Sequence, residues 1–134
     1  MTTKEQFDKF FNSDAFGVVG ASANRDKYGN KVLRVYLQHG LTAVPVNPRE
    51  KEIEGIPSVA TVAELPAGVK SISVITPPEI TEQVVEMAIG KGIINIWMQP
   101  GAESPGAVDK CLKNNVNVIA DGSCILVKLG YKDH

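Results

Sequence analysis

The sequence has few cysteines and few aromatic residues, and it carries no excess of either charge. Its 134 residues include only two cysteines, and aromatic residues make up 6% of the chain. Neither cysteine belongs to a C-x-x-C pair or to a Cys/His cluster with metal-ligand spacing, so we expect no disulfide framework and no metal site. The net charge of −1 argues against a nucleic-acid-binding surface, which needs a basic face.

Long apolar runs are also missing from the sequence. No run approaches the roughly 20 residues that a membrane-spanning helix needs. The first residues have no apolar segment and include Glu5 and Asp8, which argues against a secretory signal and a mitochondrial presequence. We therefore expect a cytoplasmic protein with reduced thiols and no membrane partner. The 43% of hydrophobic and 22% of charged residues are typical of one globular domain, predicted to span residues 1–134.

Short runs rich in valine and isoleucine alternate with helical patterns along the chain. The predicted strands cover residues 16–20, 41–46, 71–75, 93–97 and 116–120, and the predicted helices cover residues 3–13, 29–39, 61–65, 79–91 and 104–114. This alternation predicts an α/β fold, a three-layer α/β/α Rossmann-like domain with a five-stranded parallel sheet and an additional N-terminal helix. Residues 53–59 are predicted to form an irregular connection that contains a one-bridge strand at most.

Right-handed crossovers would place every strand-to-helix loop at one edge of this sheet, where open α/β sheets bind their ligands. The turn after the first predicted strand is the most informative of these loops. The chain breaks at Gly20, and a helix begins near Gly29. The free N–H groups and the dipole of a helix N-terminus favour an anion there, and Arg25 and Lys27 could reach its oxygens. The expected ligand is a phosphate.

This turn differs from the usual dinucleotide-binding fingerprint. That pattern is G-x-G-x-x-G, whereas Gly20 is followed by alanine and serine. The alternative interpretation is an ordinary turn, in which Gly20 adopts a positive φ and Ser22 or Asn30 caps the following helix.

The loop after the second predicted strand contains Asn47, Pro48 and Arg49. An NAD-binding domain holds a carboxylate for the ribose hydroxyls at this place, and none is present here. A guanidinium suits a phosphate on the adenosine ribose, as in NADP or coenzyme A. The alternative is an exposed arginine that Glu50 neutralises.

The loops after the third and fourth strands supply further candidates. Thr76, Pro77 and Pro78 form a rigid ledge with few backbone donors, which suits an apolar or pantetheine-like tail. The structural explanation for this segment is the start of a helix, with Pro78 at the first helical position, and ligand contact would be an added role. Trp97 is predicted to lie in the core, and Gln99 is a candidate amide partner for a ligand.

Groups for nucleophilic catalysis are scarce. His39 is predicted to lie at a helix end on the far side from the ligand loops, and His134 is the last residue. Neither forms an obvious triad, so we predict no catalytic residue. Cys124 lies on the ligand side, whereas Cys111 is predicted to fill space in the core and Asp121 to stabilise a turn.

Several of these segments occur together in one known family. They are G-A-S at 20–22, K-Y-G-N-K at 27–31, V-P-V-N-P-R at 44–49, T-P-P at 76–78, W-M-Q-P-G at 97–101 and D-G-S-C at 121–124. On these motifs the chain resembles the small stand-alone coenzyme A-binding domain family. It is similar to the N-terminal coenzyme A-binding domain of the succinyl-CoA synthetase α subunit over about residues 14–127.

The resemblance implies that the ligand is coenzyme A or an acyl-CoA, bound by three groups of residues. The pyrophosphate is implied to contact Gly20, Ala21, Ser22, Lys27, Tyr28 and Gly29. The adenosine and its 3′-phosphate are implied to contact Val46, Asn47, Pro48 and Arg49. The pantetheine is implied to lie between Thr76, Pro77, Pro78, Gln99 and Pro100. We include Asn30 and Cys124 because they belong to the K-Y-G-N-K and D-G-S-C segments.

The chain departs from the synthetase in two ways that bear on activity. It has no counterpart of the second synthetase domain and no histidine placed to be phosphorylated. We therefore expect non-catalytic binding of coenzyme A or acyl-CoA rather than synthetase activity. The alternatives are an NAD(P)-dependent oxidoreductase or nucleotide-binding regulatory module, and a partner-interaction module with a vestigial pocket.

Overall fold

The structure, a computed structural model, describes residues 2–132. Its central sheet has five parallel strands in the spatial order β2-β1-β5-β6-β7. Their bounds are β1 Ala15–Val19, β2 Ala43–Val46, β5 Val69–Val74, β6 Asn95–Met98 and β7 Asn117–Ile119, and β3 Glu52–Ile53 pairs with β4 Ile56–Pro57 in a separate antiparallel hairpin. The predicted five-stranded parallel sheet is confirmed.

Helices cover both faces of the sheet, as the alternation of strands and helices predicts. They are α1 Lys4–Phe11, α2 Tyr28–Gln38, α3 Pro78–Lys91, α4 Pro105–Lys113 and α5 Ile125–Leu129, with a short 3-10 helix at Val62–Glu64. One core cluster packs α1, α2 and α5 on the sheet, and a second packs α3, α4 and the 3-10 helix on the other face. The result is the three-layer Rossmann-like arrangement.

The N-terminal helix covers the sheet near β6 and β7. Thr3 caps the helix in a reciprocal capping box with Gln6. Phe7 and Phe10 make edge-on contacts with Trp97, with ring centroids 5.2 Å and 5.3 Å apart. Phe10 and Trp97 are fully buried, so the expected core role of Trp97 is confirmed.

Three local expectations about the elements were wrong or incomplete. The predicted helix over 61–65 is reduced to one short 3-10 turn at Val62–Glu64, and Thr61 makes no capping hydrogen bond to its backbone. The β3–β4 hairpin replaces the irregular connection, and its turn places Glu54 and Gly55 at φ 53° and 78°. Helix α5 was missed because a short apolar run such as residues 125–127 does not separate a helix from a strand by periodicity.

The strand order reverses between β1 and β5, which places the loops that follow them on opposite faces. The chain continues from β1 into α2 on one face of the sheet and from β5 into α3 on the other face. The connection from β2 to β5 contains only the hairpin and the 3-10 helix, so no long helix covers β1 and β2 on the α3 side. A crevice at the carboxyl ends of the strands follows from this topology.

Candidate functional site

A cleft of about 400 Å³ opens at this switch point, beside α3. The predicted site residues that line it are Gly20, Ala21, Val46, Asn47, Pro48 and Thr76. Most other lining groups are aliphatic, among them Val19 and Val62. The volume and the apolar lining are in the range of small-molecule sites.

Helix α3 contributes one wall of the cleft, and this wall was not among the features predicted from the sequence. Ile80, Val84 and Met87 line the cleft, and Ile80 and Met87 remain 40% and 43% exposed. On another face of α3, Val85 and Ala88 are fully buried. A second apolar stripe, one helical turn apart at 80, 84 and 87, is the signal that could have revealed this wall.

At Gly20, the end of β1 lies very close to both the end of β5 and the start of α2. It has a φ of 96°, which confirms the predicted positive value. A Cβ atom on Gly20 would lie 2.0 Å from the carbonyl oxygen of Ile75, at the end of β5. A Cβ atom on Gly29 would lie 2.1 Å from the Gly20 carbonyl oxygen. Gly29 thus lets α2 approach β1 closely, which the third glycine does in the usual fingerprint.

Two side-chain amides, one partly exposed and one fully buried, hold the loop between β1 and α2. The Asn47 Nδ2 donates to the Ala21 carbonyl at 2.9 Å, and the Asn30 Nδ2 donates to the Ser22 carbonyl at 2.8 Å. Asn30 is fully buried, and its Oδ1 accepts from the Arg34 Nε at 2.7 Å. The loop is therefore tied to both β2 and α2.

The alternative in which Ser22 or Asn30 caps α2 was wrong. Lys27 occupies the N-cap position without a side-chain hydrogen bond to the helix, and Asn30 lies inside the first turn. The Ser22 hydroxyl instead accepts from the Asn24 N–H at 3.1 Å within the loop.

Arg25 and Lys27, the two predicted phosphate-reaching cations, have different surroundings. Arg25 forms an ion pair with Glu54 at the tip of the β3–β4 hairpin, so its guanidinium is already engaged. The Glu54 carboxylate also accepts from the Asn30 Nδ2 at 3.0 Å. The Asn30 hydrogen bond, followed by the contact with Arg25, lowers the pKa of Glu54 despite partial desolvation. Lys27 is exposed to solvent.

Replacing Glu54 with glutamine is expected to lower the free energy of unfolding by about 0.5–1 kcal/mol at pH 7, because the pair with Arg25 is partly exposed. The lowered pKa means that this contribution is present above pH 4.5 and is lost as the pH falls further. Urea unfolding at pH 7 and at lower pH measures both effects. The control is Glu52→Gln, an exposed residue of the same hairpin. Equal losses in the two variants would contradict the contribution of this pair.

Asn47 shapes the loop that carries Arg49. Its Oδ1 accepts from the Arg49 N–H at 2.7 Å and from the Glu50 N–H at 3.1 Å. Arg49 is exposed and directly follows Pro48 at the cleft. Among residues 2–132, no side chain forms an ion pair or hydrogen bond with the Arg49 guanidinium. Neutralisation by Glu50 is therefore not observed.

The Thr76-Pro77-Pro78 segment begins α3, as predicted. Pro77 is the N-cap residue and Pro78 the first residue of the helix, and both are exposed. Thr76 lines the cleft, and its hydroxyl forms a 2.7 Å hydrogen bond with the Thr81 hydroxyl.

Three further predicted residues form a separate cluster at the ends of β6 and β7. The Tyr28 hydroxyl lies 3.0 Å from the Gln99 Oε1 and 2.8 Å from the Cys124 Sγ. The Ile125 N–H also donates to the Gln99 Oε1 at 2.9 Å. We call Tyr28, Gln99 and Cys124 the thiol cluster. None of its members lines the cleft.

The remaining candidates lie apart from the cleft. Pro100 is exposed, and His39 ends α2 at the opposite edge of the sheet, whereas His134 lies outside the described residues. Cys111 is fully buried as predicted, and burial raises the pKa of its thiol to about 11. Asp121 accepts from the Ser123 N–H at 3.0 Å, which confirms its turn role. Hydrogen bonding with Ser123, followed by Thr2, lowers the pKa of Asp121 to about 2 despite some desolvation.

Residues 2–132 contain neither a metal-ligand cluster nor a membrane-spanning helix. No group of three or more His, Cys, Asp or Glu side chains is placed to hold a metal ion. In the same residues, every helix is too short or too polar to cross a membrane.

The fold and the cleft define a Rossmann-like α/β domain with a crevice at its switch point. Residues 14–130 match the CoA binding domain family, and the chain therefore belongs to that family. This confirms the resemblance that the loop motifs carry.

Individual relatives agree with this assignment. The α subunit of an ADP-forming acetate–CoA ligase II from Pyrococcus furiosus is 31% identical over 87 residues, which cover 64% of this chain and 19% of that protein. The chain thus spans about a fifth of the length of this curated relative. A conserved hypothetical protein from Pyrococcus furiosus is 39% identical with a TM-score of 0.81, over 85% of this chain and 97% of the other. A hypothetical protein from Pyrococcus horikoshii is 25% identical with a TM-score of 0.88, over 96% and 89%.

Proposed function

We propose that this chain binds coenzyme A or an acyl-CoA at the carboxyl edge of its parallel sheet. The observation that carries the proposal is the cleft at the switch point, because it joins the β1 turn to the loop of Asn47 and Arg49. Membership of the CoA binding domain family supports this ligand over other nucleotides.

The chemistry of the cleft matches the parts of the ligand. The aliphatic side chains of Val46, Val62 and Met87 offer an apolar surface of the kind that an adenine ring covers. Gly20 leaves the backbone free of a side chain beside the start of α2, where a pyrophosphate is favoured by the helix N–H groups. Arg49 supplies a guanidinium for the 3′-phosphate.

The pantetheine arm would extend from Thr76 toward the thiol cluster. Thr76 lies at the end of β5, Gln99 follows β6, and Cys124 follows β7, so the three mark successive strand ends along one edge. We propose that the chain acts as a binding module, since no catalytic dyad accompanies these groups among the described residues.

Titration calorimetry with coenzyme A, acetyl-CoA, NADP and ATP tests the proposal. We expect one site that binds coenzyme A and acetyl-CoA more tightly than NADP or ATP. Mass spectrometry of the natively purified protein identifies any ligand that remains bound through purification. Preferential NADP binding would favour the oxidoreductase alternative, and a lack of any nucleotide ligand would favour the partner-interaction module.

The matched variants Ile80→Asp and Ile94→Asp test whether coenzyme A binds in the cleft. Both isoleucines are partly exposed, but only Ile80 lines the cleft. Ile80→Asp is expected to weaken coenzyme A binding about tenfold, because it removes apolar contact and adds a negative charge beside an anionic ligand. Ile94→Asp should leave the affinity unchanged. Equal affinities in the two variants, measured by the same calorimetry, would place the ligand elsewhere.

A further inference from the structure

The thiol cluster contains a buried hydrogen-bond donor, the Gln99 Nε2. Gln99 is fully buried, and its Nε2 has no hydrogen-bond partner among residues 2–132. Its Oε1 accepts from both the Tyr28 hydroxyl and the Ile125 N–H. Reversing the amide would turn the Nε2 donor toward the Ile125 N–H donor, so the hydrogen bonds fix the orientation of the amide. An unpaired buried donor is costly, and an acceptor supplied by a ligand would remove that cost.

Cys124 is the thiol that such a ligand would meet. Tyr28 and Cys124 are the partly exposed members of the cluster. Cys124 precedes Ile125, whose N–H holds the Gln99 amide, so the thiol and the unpaired Nε2 belong to one hydrogen-bonded group. The other cysteine, Cys111, is fully buried on α4.

Tyr28 can stabilise the thiolate form of Cys124. In the neutral cluster, the phenol donates to the Gln99 Oε1 and accepts from the thiol. When the thiol loses its proton, the phenol O–H can turn to the sulfur, because Gln99 keeps its hydrogen bond from Ile125. Burial and, to a lesser degree, the neighbouring Cys124 raise the pKa of Tyr28, so the phenol remains a donor at neutral pH.

We propose that Cys124 is a thiol–disulfide exchange site that takes a coenzyme A moiety from coenzyme A disulfide. This proposal rests on the proposed function, since recognition of the nucleotide would bring the disulfide to the thiol cluster. The amide carbonyls of the pantetheine arm are acceptors of the kind that Gln99 Nε2 lacks.

The exchange needs no oxidant besides the disulfide itself. The Cys124 thiolate attacks one sulfur of coenzyme A disulfide, the ligand S–S bond breaks, and a bond forms between Sγ and that sulfur. The second coenzyme A leaves as a thiolate and takes up the proton that Cys124 released. Reduction by a free thiol reverses the step.

Intact-protein mass spectrometry tests the exchange, with coenzyme A disulfide and glutathione disulfide as the two probes. We expect a reductant-sensitive adduct of one coenzyme A on the wild type and on Cys111→Ser, and none on Cys124→Ser. Because binding positions the reacting sulfur, the rate with coenzyme A disulfide should exceed that with glutathione disulfide by about tenfold or more. Excess coenzyme A should slow the reaction.

Calorimetry on Cys124→Ser separates the two proposals. If this variant binds coenzyme A and the wild type forms no adduct, or one only on Cys111, the exchange site is refuted and the binding function stands. Equal rates with both disulfides would likewise refute a recognised exchange site. If no variant binds coenzyme A, both proposals fail.

The Tyr28→Phe variant tests the role of the phenol. Its exchange with glutathione disulfide, which reports on the thiol rather than on nucleotide recognition, is expected to slow about tenfold because the thiolate loses a hydrogen-bond donor. An unchanged rate would contradict thiolate stabilisation by Tyr28.

Discussion

Replacing Gly20 with alanine is expected to destabilise the domain by about 3 kcal/mol or more, the sum of a strained φ and a steric collision. The φ of 96° disfavours any side chain. The added Cβ atom would also lie 2.0 Å from the Ile75 carbonyl oxygen, so β5 or the turn must move. Because Gly20 lines the cleft, we expect coenzyme A binding to be lost in the same variant even where the protein remains folded.

Gly92 provides a matched control for this substitution. It has a nearly identical φ of 93° at the end of α3, and a Cβ atom there would meet nothing within 4 Å. Gly92→Ala is therefore expected to cost about 1 kcal/mol, from backbone strain alone. Urea unfolding of the two variants isolates the collision as their difference. Equal losses would mean that β5 yields without cost at the Gly20 contact.

The strands and the glycine turn could be predicted because their causes are local. Runs of β-branched residues specify buried parallel strands, and the break at Gly20 specifies the first loop. The helix start at Pro78 follows from the geometry of proline itself. These features depend on a few consecutive residues, and each is present in the structure.

The remaining parts of the site depend on contacts between distant segments. Glu54 forms an ion pair with Arg25 because the β3–β4 hairpin folds back onto the loop between β1 and α2. Neither segment contains a local sequence pattern that predicts this pair. Tyr28 begins α2, Gln99 follows β6 and Cys124 precedes α5, and the strand order brings these three distant positions together. The face of α3 that lines the cleft could not be predicted, because Met87 fits the apolar pattern of a helix packed on the sheet equally well.

The second large effect that we expect is a loss of coenzyme A affinity when Arg49 is replaced. Arg49→Ala is expected to weaken coenzyme A by about 1.5–3 kcal/mol and to leave 3′-dephospho-coenzyme A nearly unchanged, because a hydrogen bond to a charged phosphate is lost only with the first ligand. The guanidinium has no ion pair or hydrogen bond with the described residues, so the substitution removes no polar interaction of this group among them. Its exposure places the effect toward the lower end of that range and makes it weaken with added salt.

Lys51→Ala is the control for simple loss of charge, since Lys51 is an exposed cation two residues beyond Arg49. Calorimetry with both ligands and both variants at two salt concentrations gives the comparison. A specific contact requires that Arg49→Ala reduce the preference for coenzyme A over its dephospho form and that Lys51→Ala preserve that preference. Equal losses for both ligands with Arg49→Ala would mean that the 3′-phosphate lies away from the end of β2, and the loop of Asn47 would then have only its structural role.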